Sequence, residues 1–247
     1  EISLGLVGSE MCIRDRLKSW DALPQKMKQE EVKKYYRYLS KKRGALVAKR
    51  FLDVVLSFIL TVLLLPVMLI LAVCIKLDSK GPVFYRQERV TQYGKKYRIF
   101  KFRTMVADAD KKGPLVTTGQ DSRITRMGNK LRKCRLDELP QLFNVLTGDM
   151  SFVGTRPEVQ KYVDSYSPEM MATLLLPAGI TSRTSIAYKD EDEILDKYSQ
   201  TTDKSTDEIY VEYVLPEKMK YNLQYLIEFS IWGDFKVMID TALAVLR

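Results

Sequence analysis

The longest apolar segment of the chain runs from Val54 to Ile75, 22 residues without a charge, in which Ser57 and Thr61 are the hydroxyl side chains. As a straight helix rising 1.5 Å per residue, this segment would be about 33 Å long, enough to cross the hydrocarbon core of a bilayer. A buried helix of a soluble protein is seldom so long and so uniformly apolar. The pattern therefore predicts a membrane helix.

Two features of this segment favour a helix that enters the membrane and returns to the same face. Pro66 lies in its middle, where it removes a backbone hydrogen bond and obstructs the preceding turn. Positive residues favour the cytoplasmic side, and they flank both ends: Lys41, Lys42, Arg43, Lys49 and Arg50 before the segment, Lys76, Lys80, Arg86 and Arg89 after it. A re-entrant helix bent at Pro66 satisfies both flanks, and a simple span is the alternative.

Shorter patterns predict the elements on either side of the membrane segment. Residues 27–42 mix charges with two tyrosines, which predicts an exposed or interfacial helix. Residues 81–105 contain two strand-like runs around a glycine-containing turn, which predicts a β-hairpin. Residues 123–135 and 137–146 predict two helices, the second ending at Gly148.

The remaining third of the chain is predicted to be mainly helical. Residues 157–175 predict a helix interrupted near Pro168, and residues 177–180, "PAGI", predict a turn. Residues 208–247 carry apolar and aromatic side chains at helical spacing, with lysines between them. Such helices would pack on the domain or lie in the membrane interface.

Composition narrows the chemistry of the chain. A hydrophobic content of 46% over 247 residues supports a packed core of one large domain, and the net charge of +9 implies an anionic partner. Three widely separated cysteines make disulfides unexpected and indicate a cytosol-facing chain. The absence of histidine excludes Ser-His and Cys-His nucleophiles, so we expect any metal to be oxygen-ligated, with Mg²⁺ first.

Residues 1–16, "EISLGLVGSEMCIRDR", lack an initiator methionine and resemble translated adapter sequence. We expect them to be non-native and set them aside from the fold prediction, with a genuine tail as the alternative.

The candidate catalytic residues are the adjacent acids Asp137 and Glu138, which follow the basic stretch 126–135. A nearby cation lowers the pKa of a carboxyl group and keeps it ionised. An ionised aspartate can attack phosphorus, and a neighbouring carboxylate can hold Mg²⁺ against phosphate oxygens. The alternative is that the two acids only complement the dipole of the helix that they begin.

Arg156 is the candidate phosphate ligand after the acid pair. Arginine fits phosphate through two parallel hydrogen bonds. Pro157 restricts the backbone of Arg156 to extended conformations, which would aim its side chain in one direction. A plain surface turn is the alternative.

The predicted hairpin carries a further set of cations. Strand alternation places Lys101 and Arg103 on one face, with Phe100 and Phe102 on the other. For a bare hairpin we expect a solvated basic face. Beside a membrane helix, the same face could bind anionic lipid head groups.

Several long segments resemble the bacterial sugar transferase family, the monotopic polyprenyl-phosphate phosphoglycosyl transferases that begin surface glycan assembly. They are "AKRFLDVVLSFILTVLLLPVMLILAVCIKLDSKGPVFYRQERV", "GKKYRIFKFRTM", "RLDELPQLFNVLTGDMSFVGTRPE" and "LPAGIT", in the family's order over about residues 45–182. The segment "YNLQYLIEFSIWGDFKVMIDTAL" is similar to the family's C-terminal helix.

The resemblance implies transfer of a sugar-1-phosphate from a UDP-sugar to undecaprenyl phosphate, with release of UMP. Asp137 would attack the phosphate next to the sugar, and the lipid phosphate would displace the covalent phospho-sugar. Glu138, with Asp137, would hold Mg²⁺ and assist deprotonation of the lipid phosphate. The residues expected to bind the substrates are Arg86, Arg89, Lys101, Arg103, Arg132, Arg156 and Pro157.

The same resemblance implies an α+β, mostly helical fold with a re-entrant membrane helix bent at a proline, a small β-hairpin and amphipathic interfacial helices around a compact catalytic domain. The expected divisions are a charged helix over residues 17–43, the membrane helix over 44–80 and the catalytic domain over 81–247. The expected location is the cytoplasmic face of the bacterial inner membrane. Expected partners are the two substrates, membrane lipids, a second copy of the chain and downstream glycosyltransferases of capsule, exopolysaccharide or glycoconjugate synthesis, but no nucleic acid.

The chain departs from the family pattern in two places. Leu65 stands before Pro66, where many members have Ser-Pro. The segment "SRTSIAYKDEDEIL" follows "PAGIT", where many members continue toward a Gly-Arg near the sugar pocket. The sequence therefore does not identify the donor sugar.

The alternative from another class is a non-catalytic, membrane-anchored scaffold that uses the basic hairpin to bind lipid or a partner. It predicts that Asp137→Asn is silent. Nucleic-acid binding is suggested only by charge and leaves the apolar segment unexplained. A glycosidase needs carboxylates on opposite sides of a sugar, which adjacent positions supply poorly.

Overall fold

The computed structural model describes residues 17–109, 121–188 and 191–246, so the expectation for residues 1–16 and most of the loop after the hairpin lie outside the described residues. The helices are α1 (Glu30–Ser40), α2 (Arg43–Asp78), α3 (Arg126–Lys133), α4 (Gln141–Thr147), α5 (Gln160–Val163), α6 (Arg183–Ala187), α7 (Glu191–Ser199), α8 (Thr206–Ile209), α9 (Leu215–Glu228) and α10 (Ile231–Leu246). The strands are β1 (Phe84–Tyr85), β2 (Glu88–Val90), β3 (Lys96–Arg98), β4 (Lys101–Phe102), β5 (Met150–Val153) and β6 (Ala178–Thr181). The mostly helical α+β prediction is confirmed at this level.

The predicted β-hairpin is present as two short antiparallel ladders. Strand β1 pairs with β4 and β2 with β3, with Glu88 opposite Arg98. Tyr93 and Gly94 make the turn with φ of 61° and 77°, the left-handed region that a tight reversal requires. The solvated basic face expected for a bare hairpin is wrong, because Arg103 is buried and its guanidinium donates to the carbonyl oxygens of Ser79 and Lys80.

The predicted turn over residues 177–180 is also wrong. Ala178–Thr181 is strand β6, parallel to β5, with Ser151 opposite Gly179. A Cβ on Gly179 would lie 2.2 Å from the backbone nitrogen of Gly154, so the two backbones approach in a way that only glycine allows. A buried parallel strand this short shows no alternation, and proline with glycine locally indicates a turn.

The main core joins α1 to the C-terminal helices and reaches strand β2 of the hairpin through the buried Val90. One cluster contains the fully buried Val32 and Leu39 of α1, Leu226 of α9, and Leu175, which ends the 3₁₀-helix Met170–Leu175. A second cluster surrounds Ile209, and the long helix α2 packs on the domain beside these cores. The hairpin and the short helices α3 and α4 therefore lie on a close-packed base.

The two ends of α2 are fastened to the same domain. Near its start, the Arg50 guanidinium donates to the carbonyl oxygens of Val145 at 2.6 Å and Leu146 at 3.1 Å, at the end of α4. Near its end, Met68 and Leu71 are buried in a cluster with Phe102, Leu131 and Phe143. Pro66 lies within this helix, which is assigned without interruption from Arg43 to Asp78.

The outer face of α2 is apolar and uncovered. Phe58 is 61% exposed, Leu63 66% and Ile70 63%. Among the described residues, α2 is the helix long and apolar enough to cross a membrane by length and composition. Exposed apolar surface of this extent indicates association with a membrane.

Helix α10 lies beside the start of α2 and is joined to it by a buried ion pair. Lys49 Nζ lies 2.5 Å from Asp234 Oδ2, and the Tyr225 hydroxyl donates to Asp234 Oδ1 at 3.1 Å. The opposite side of α10 exposes Trp232 and Ile239. The placement of this helix in the membrane interface, like the re-entrant bend at Pro66, stays a prediction.

Candidate active site

The acid pair stands in a turn of its own, ahead of α4. Residues Leu136–Glu138 form one turn of 3₁₀-helix, and Arg135 before it is left-handed with φ of 54°. The left-handed Arg135 separates α3 from the acids, and Pro140 then stands at the N-cap position of α4. The expectation that the acids occupy the first turn of the longer helix is wrong, because they lie in a separate turn that precedes α4. This position weakens the explanation that the two acids only complement the dipole of that helix.

Glu138 is held in place by the hairpin. Lys101 Nζ of β4 donates to Glu138 Oε1 at 2.8 Å. Burial by itself would raise the pKa of Glu138, but the charges of Lys101 and Arg156 outweigh burial and lower the pKa to about 2. Glu138 is therefore ionised at neutral pH, and its orientation depends on a residue 37 positions earlier.

Asp137 differs from Glu138 in the direction of its pKa shift and in its hydrogen bonds. Its side chain is 8% exposed, and burial raises its pKa more than the charges of Lys101, Arg132 and Arg135 lower it. The expectation that the basic stretch would lower this pKa is therefore wrong, because burial dominates. Among the described residues, none donates a hydrogen bond to the Asp137 carboxyl group, so its oxygens are available to a ligand.

Both acids line a large cavity between the hairpin, α3, α4 and the C-terminal helices, about 1140 Å³ in volume. Among the described residues that line it, nine are lysine or arginine and four are aspartate or glutamate, so the cavity favours an anionic ligand. The cations are Arg89, Lys101, Arg103, Arg123, Arg132, Lys133, Arg135, Arg156 and Lys218.

The structure brings most of the sequence-predicted cations to this cavity. Lys101, Arg132 and Arg156 line it, and Arg156 Nη1 donates to Ser185 Oγ of α6 at 3.1 Å. Arg89 also lines it and pairs with Glu158 at 3.8 Å.

Three predicted substrate-binding residues have other contacts. Arg103 reaches the cavity wall, but its guanidinium is engaged with the carbonyl oxygens at the end of α2. Pro157 contributes its carbonyl oxygen to Arg89 at 3.2 Å, and Arg86 stacks on the Phe100 ring at 3.7 Å. Neither Pro157 nor Arg86 is among the described residues that line the cavity.

Sequence reasoning missed a buried polar cluster in the cavity wall, made of Glu158, Tyr210 and Lys218. The Tyr210 hydroxyl donates to Glu158 Oε1 at 2.7 Å and accepts from Lys218 Nζ at 2.6 Å. Burial would raise the pKa of Glu158, but the charges of Lys218 and Arg89 lower it below its ordinary value. Tyr210 begins a π-helical turn, Tyr210–Val214, a feature frequent at functional sites.

One local signal pointed to this cluster. Glu158 directly follows the Arg156-Pro157 step. Tyr210 and Lys218 are more than 50 residues away and carry no local signal, because packing of the C-terminal helices alone brings them to Glu158.

The donor set suits Mg²⁺ bound together with a phosphate ligand. Within the described ranges, no group of three or more Asp, Glu, His or Cys side chains could hold a metal ion. Mg²⁺ is often bound by one or two carboxylates, with substrate phosphates and water completing its octahedron. Asp137 and the free oxygen of Glu138 therefore fit such an ion, and the Lys101 contact leaves that oxygen available.

Several known proteins are similar to this chain over most of its length. The family model described as bacterial sugar transferase matches residues 44–247. A UDP-glucose:undecaprenyl-phosphate glucose-1-phosphate transferase of Caulobacter vibrioides is 36% identical over 203 residues, which cover 80% of this chain and 69% of that protein.

Two longer relatives are similarly close. A UDP-N-acetylgalactosamine-undecaprenyl-phosphate N-acetylgalactosaminephosphotransferase of Aeromonas hydrophila is 34% identical over 201 residues, 80% of this chain and 43% of that protein. The galactosyl transferase CpsE of Streptococcus agalactiae is 36% identical over 224 residues, 86% of this chain and 44% of that protein. The chain thus spans less than half the length of these two relatives.

Proposed function

The chain belongs to the bacterial sugar transferase family, and we propose that it transfers a sugar-1-phosphate from a UDP-sugar to undecaprenyl phosphate. The products are undecaprenyl-diphosphate-sugar and UMP, in the first membrane step of capsule, exopolysaccharide or glycoconjugate synthesis. The activities of its relatives support the donor and acceptor classes. Those relatives use different sugars, so the donor sugar is left to the assay.

The observation that carries the proposal is the unequal pair of acids in a cationic cavity. Glu138 is ionised and held by Lys101, whereas no described residue donates a hydrogen bond to Asp137. An unpaired, buried carboxylate beside several cations is suited to attack an anionic phosphate. The cations attract the anionic donor, and burial limits the hydration of the attacking carboxylate oxygens.

In the first step, a carboxylate oxygen of Asp137 attacks the phosphorus attached to the sugar. The bond from that phosphorus to the bridging oxygen breaks, and UMP leaves with the electron pair. Arg132 and Arg156 line the cavity and would balance the charge that develops on the phosphate oxygens.

In the second step, a phosphate oxygen of undecaprenyl phosphate attacks the same phosphorus. The aspartyl–phosphorus bond breaks and the Asp137 carboxylate is regenerated. Because its pKa is lowered to about 2, Glu138 is too weak a base to take a proton from the lipid phosphate, so we propose that this phosphate attacks in its deprotonated form. The part of Glu138 would be to hold Mg²⁺ together with Asp137, and the ion when bound would neutralise phosphate oxygens.

Contacts at the two ends of α2 support a re-entrant path on one membrane face. Arg50 contacts Val145 of α4, while Leu71 shares a cluster with Phe143 of the same short helix. A straight helix would separate Arg50 from Leu71 by about 31 Å at 1.5 Å per residue. A bend near Pro66, with the catalytic domain on the cytoplasmic face, reconciles these contacts.

The alternative function was a non-catalytic, membrane-anchored scaffold that binds lipid or a partner through a basic face of the hairpin. It loses its main support, because Lys101 and Arg103 of that face contact the protein interior. Pairing with a second copy of the chain and with downstream glycosyltransferases remains proposed.

The test is release of UMP by purified protein in nanodiscs supplied with Mg²⁺, undecaprenyl phosphate and a panel of UDP-sugars. We expect release with at least one donor, its loss in Asp137→Asn, and a phospho-sugar adduct in the intact mass when the acceptor is omitted. Asp149→Asn is the matched control, because Asp149 pairs with the exposed Lys95 and is not among the described lining residues. Release by Asp137→Asn at the wild-type rate would refute the aspartyl mechanism.

A further inference from the structure

One side of the active-site cavity is built from the two apolar helices α2 and α10. Leu60 and Leu64 of α2 line it, and their spacing of four residues puts them on one helix face. The neighbouring Leu63 is 66% exposed and points to the outside. Helix α2 therefore presents one leucine row to the cavity and another to its surroundings.

Helix α10 supplies the facing wall with smaller side chains. Thr241 and Ala244 line the cavity, while Leu243 between them is 50% exposed. The two leucines of α2 and the two small side chains of α10 line the same cavity as Asp137, and the part of the cavity that they bound is called the opening between α2 and α10.

The walls of this opening are fixed by polar contacts. Lys49 of α2 pairs with Asp234 of α10 at 2.5 Å, both side chains being about nine-tenths buried. The Thr241 hydroxyl lies within 2.6 Å of the Thr181 hydroxyl of β6, which anchors the lining turn of α10 to the sheet. The gap is therefore a built feature of the fold.

We propose that this opening, lined by Leu60, Leu64, Thr241 and Ala244, is a portal for the hydrocarbon chain of the acceptor lipid. The inference rests on the proposed function and extends it by assigning a binding site to the hydrocarbon chain of the acceptor. The chain enters sideways from the membrane between α2 and α10. Its phosphate reaches the cationic interior near Asp137.

The charge distribution selects this occupant over the nucleotide donor. The interior of the cavity carries the cations, whereas the portal carries leucine and small side chains. A polyprenyl phosphate has the same division, an anionic head on an apolar tail. A UDP-sugar is polar from its sugar to its uracil, so burying either end between leucines would cost hydrogen bonds.

Tryptophan substitutions that narrow the portal test the proposal. Leu64→Trp and Ala244→Trp project into the opening, and Leu63→Trp and Leu243→Trp add the same side chain on the outer face of the same helices. We expect kcat/KM for undecaprenyl phosphate to fall about tenfold to a hundredfold in the first two and to change little in their controls. The loss should be confined to the second step, with adduct formation from the donor alone at the control rate.

Lipid capture gives a readout that needs no turnover. Benzoylphenylalanine in place of Leu64 should photo-crosslink undecaprenyl phosphate in nanodiscs, and the same probe in place of Leu63 should capture bulk phospholipid instead. Equal kcat/KM in portal and control variants, or equal capture of undecaprenyl phosphate from both probe positions, would overturn the portal. Specific capture from position 64 without UMP release from any donor would retain the portal and overturn the transferase reaction.

Discussion

The ion pair between Lys49 and Asp234 offers a direct test of how α2 and α10 are joined. Lys49→Met removes the cation and leaves the Asp234 carboxylate in a site where its side chain is 8% exposed. Burial already raises the pKa of Asp234 despite the charge of Lys49. The variant therefore leaves a buried charge to which, within the described part of the chain, the Tyr225 hydroxyl still donates a hydrogen bond.

The size of the effect follows from the burial of both partners. Breaking a buried ion pair by removing one partner costs about 3–5 kcal/mol of unfolding free energy. For a chain of this length each kcal/mol shifts Tm by about 2–4 °C. We expect Tm to fall by about 6–20 °C, with the lower end favoured if Asp234 takes up a proton.

Thermal unfolding in nanodiscs, followed by intrinsic fluorescence at a fixed scan rate, measures this shift. Lys33→Met is the matched control, because Lys33 pairs with the exposed Glu30 on the surface, and its Tm should equal that of the wild type. The double variant Lys49→Met/Asp234→Leu removes both charges and should recover most of the loss. A single variant that melts with the wild type, or a double variant that melts as low as the single one, would refute the reasoning.

Four further outcomes can be checked. Lys101→Met should lower kcat/KM about a hundredfold, because Glu138 loses its partner; Lys95→Met, at an exposed pair, should match the wild type. Tyr210→Phe should destabilise by about 1–3 kcal/mol in thermal unfolding, since it removes the buried hydroxyl that donates to Glu158 and accepts from Lys218; an unchanged Tm would contradict a stabilising role of this hydrogen-bond network. The charges of Lys218 and Arg89 hold the pKa of Glu158 below its ordinary 4.5 despite burial. The stabilisation that the ionised Glu158 gives to the folded state is therefore complete above pH 4.5 and is lost as the pH falls further. The Tm of the wild type should therefore drop more steeply on acidification than that of Glu158→Gln. EDTA should abolish UMP release and excess Mg²⁺ restore it; release in EDTA would count against the metal.

The features predicted correctly were those with a contiguous signal. The charge-free segment around Pro66 indicated the long helix, and the turn at Gly94 between two strand-like runs indicated the hairpin. The adjacent Asp137 and Glu138 were found as a pair because they lie side by side in the sequence. Their common cavity with Lys101 and Arg156 agreed with what the family resemblance implied.

The wrong predictions share one cause. Each depends on a contact between segments that are far apart in the sequence and close together in the fold. Arg103 looked like a surface cation, but the end of α2 covers it. Residues 177–180 looked like a turn, but strand β5 pairs with them and buries them. Local patterns describe what a segment prefers alone, and tertiary contacts override that preference.

The sequence by itself determined the family, the apolar helix and the identity of the acid pair, because periodicity and contiguous motifs are properties of neighbouring residues. Only the tertiary structure decided that, among the described residues, Glu138 has a hydrogen-bond donor while Asp137 has none, and that Glu158 contacts Tyr210 and Lys218 within the cavity wall. The physical reason is that burial and charge at a site depend on which distant segments pack around it. Local sequence patterns do not show those contacts, because the contacts form only when the chain folds.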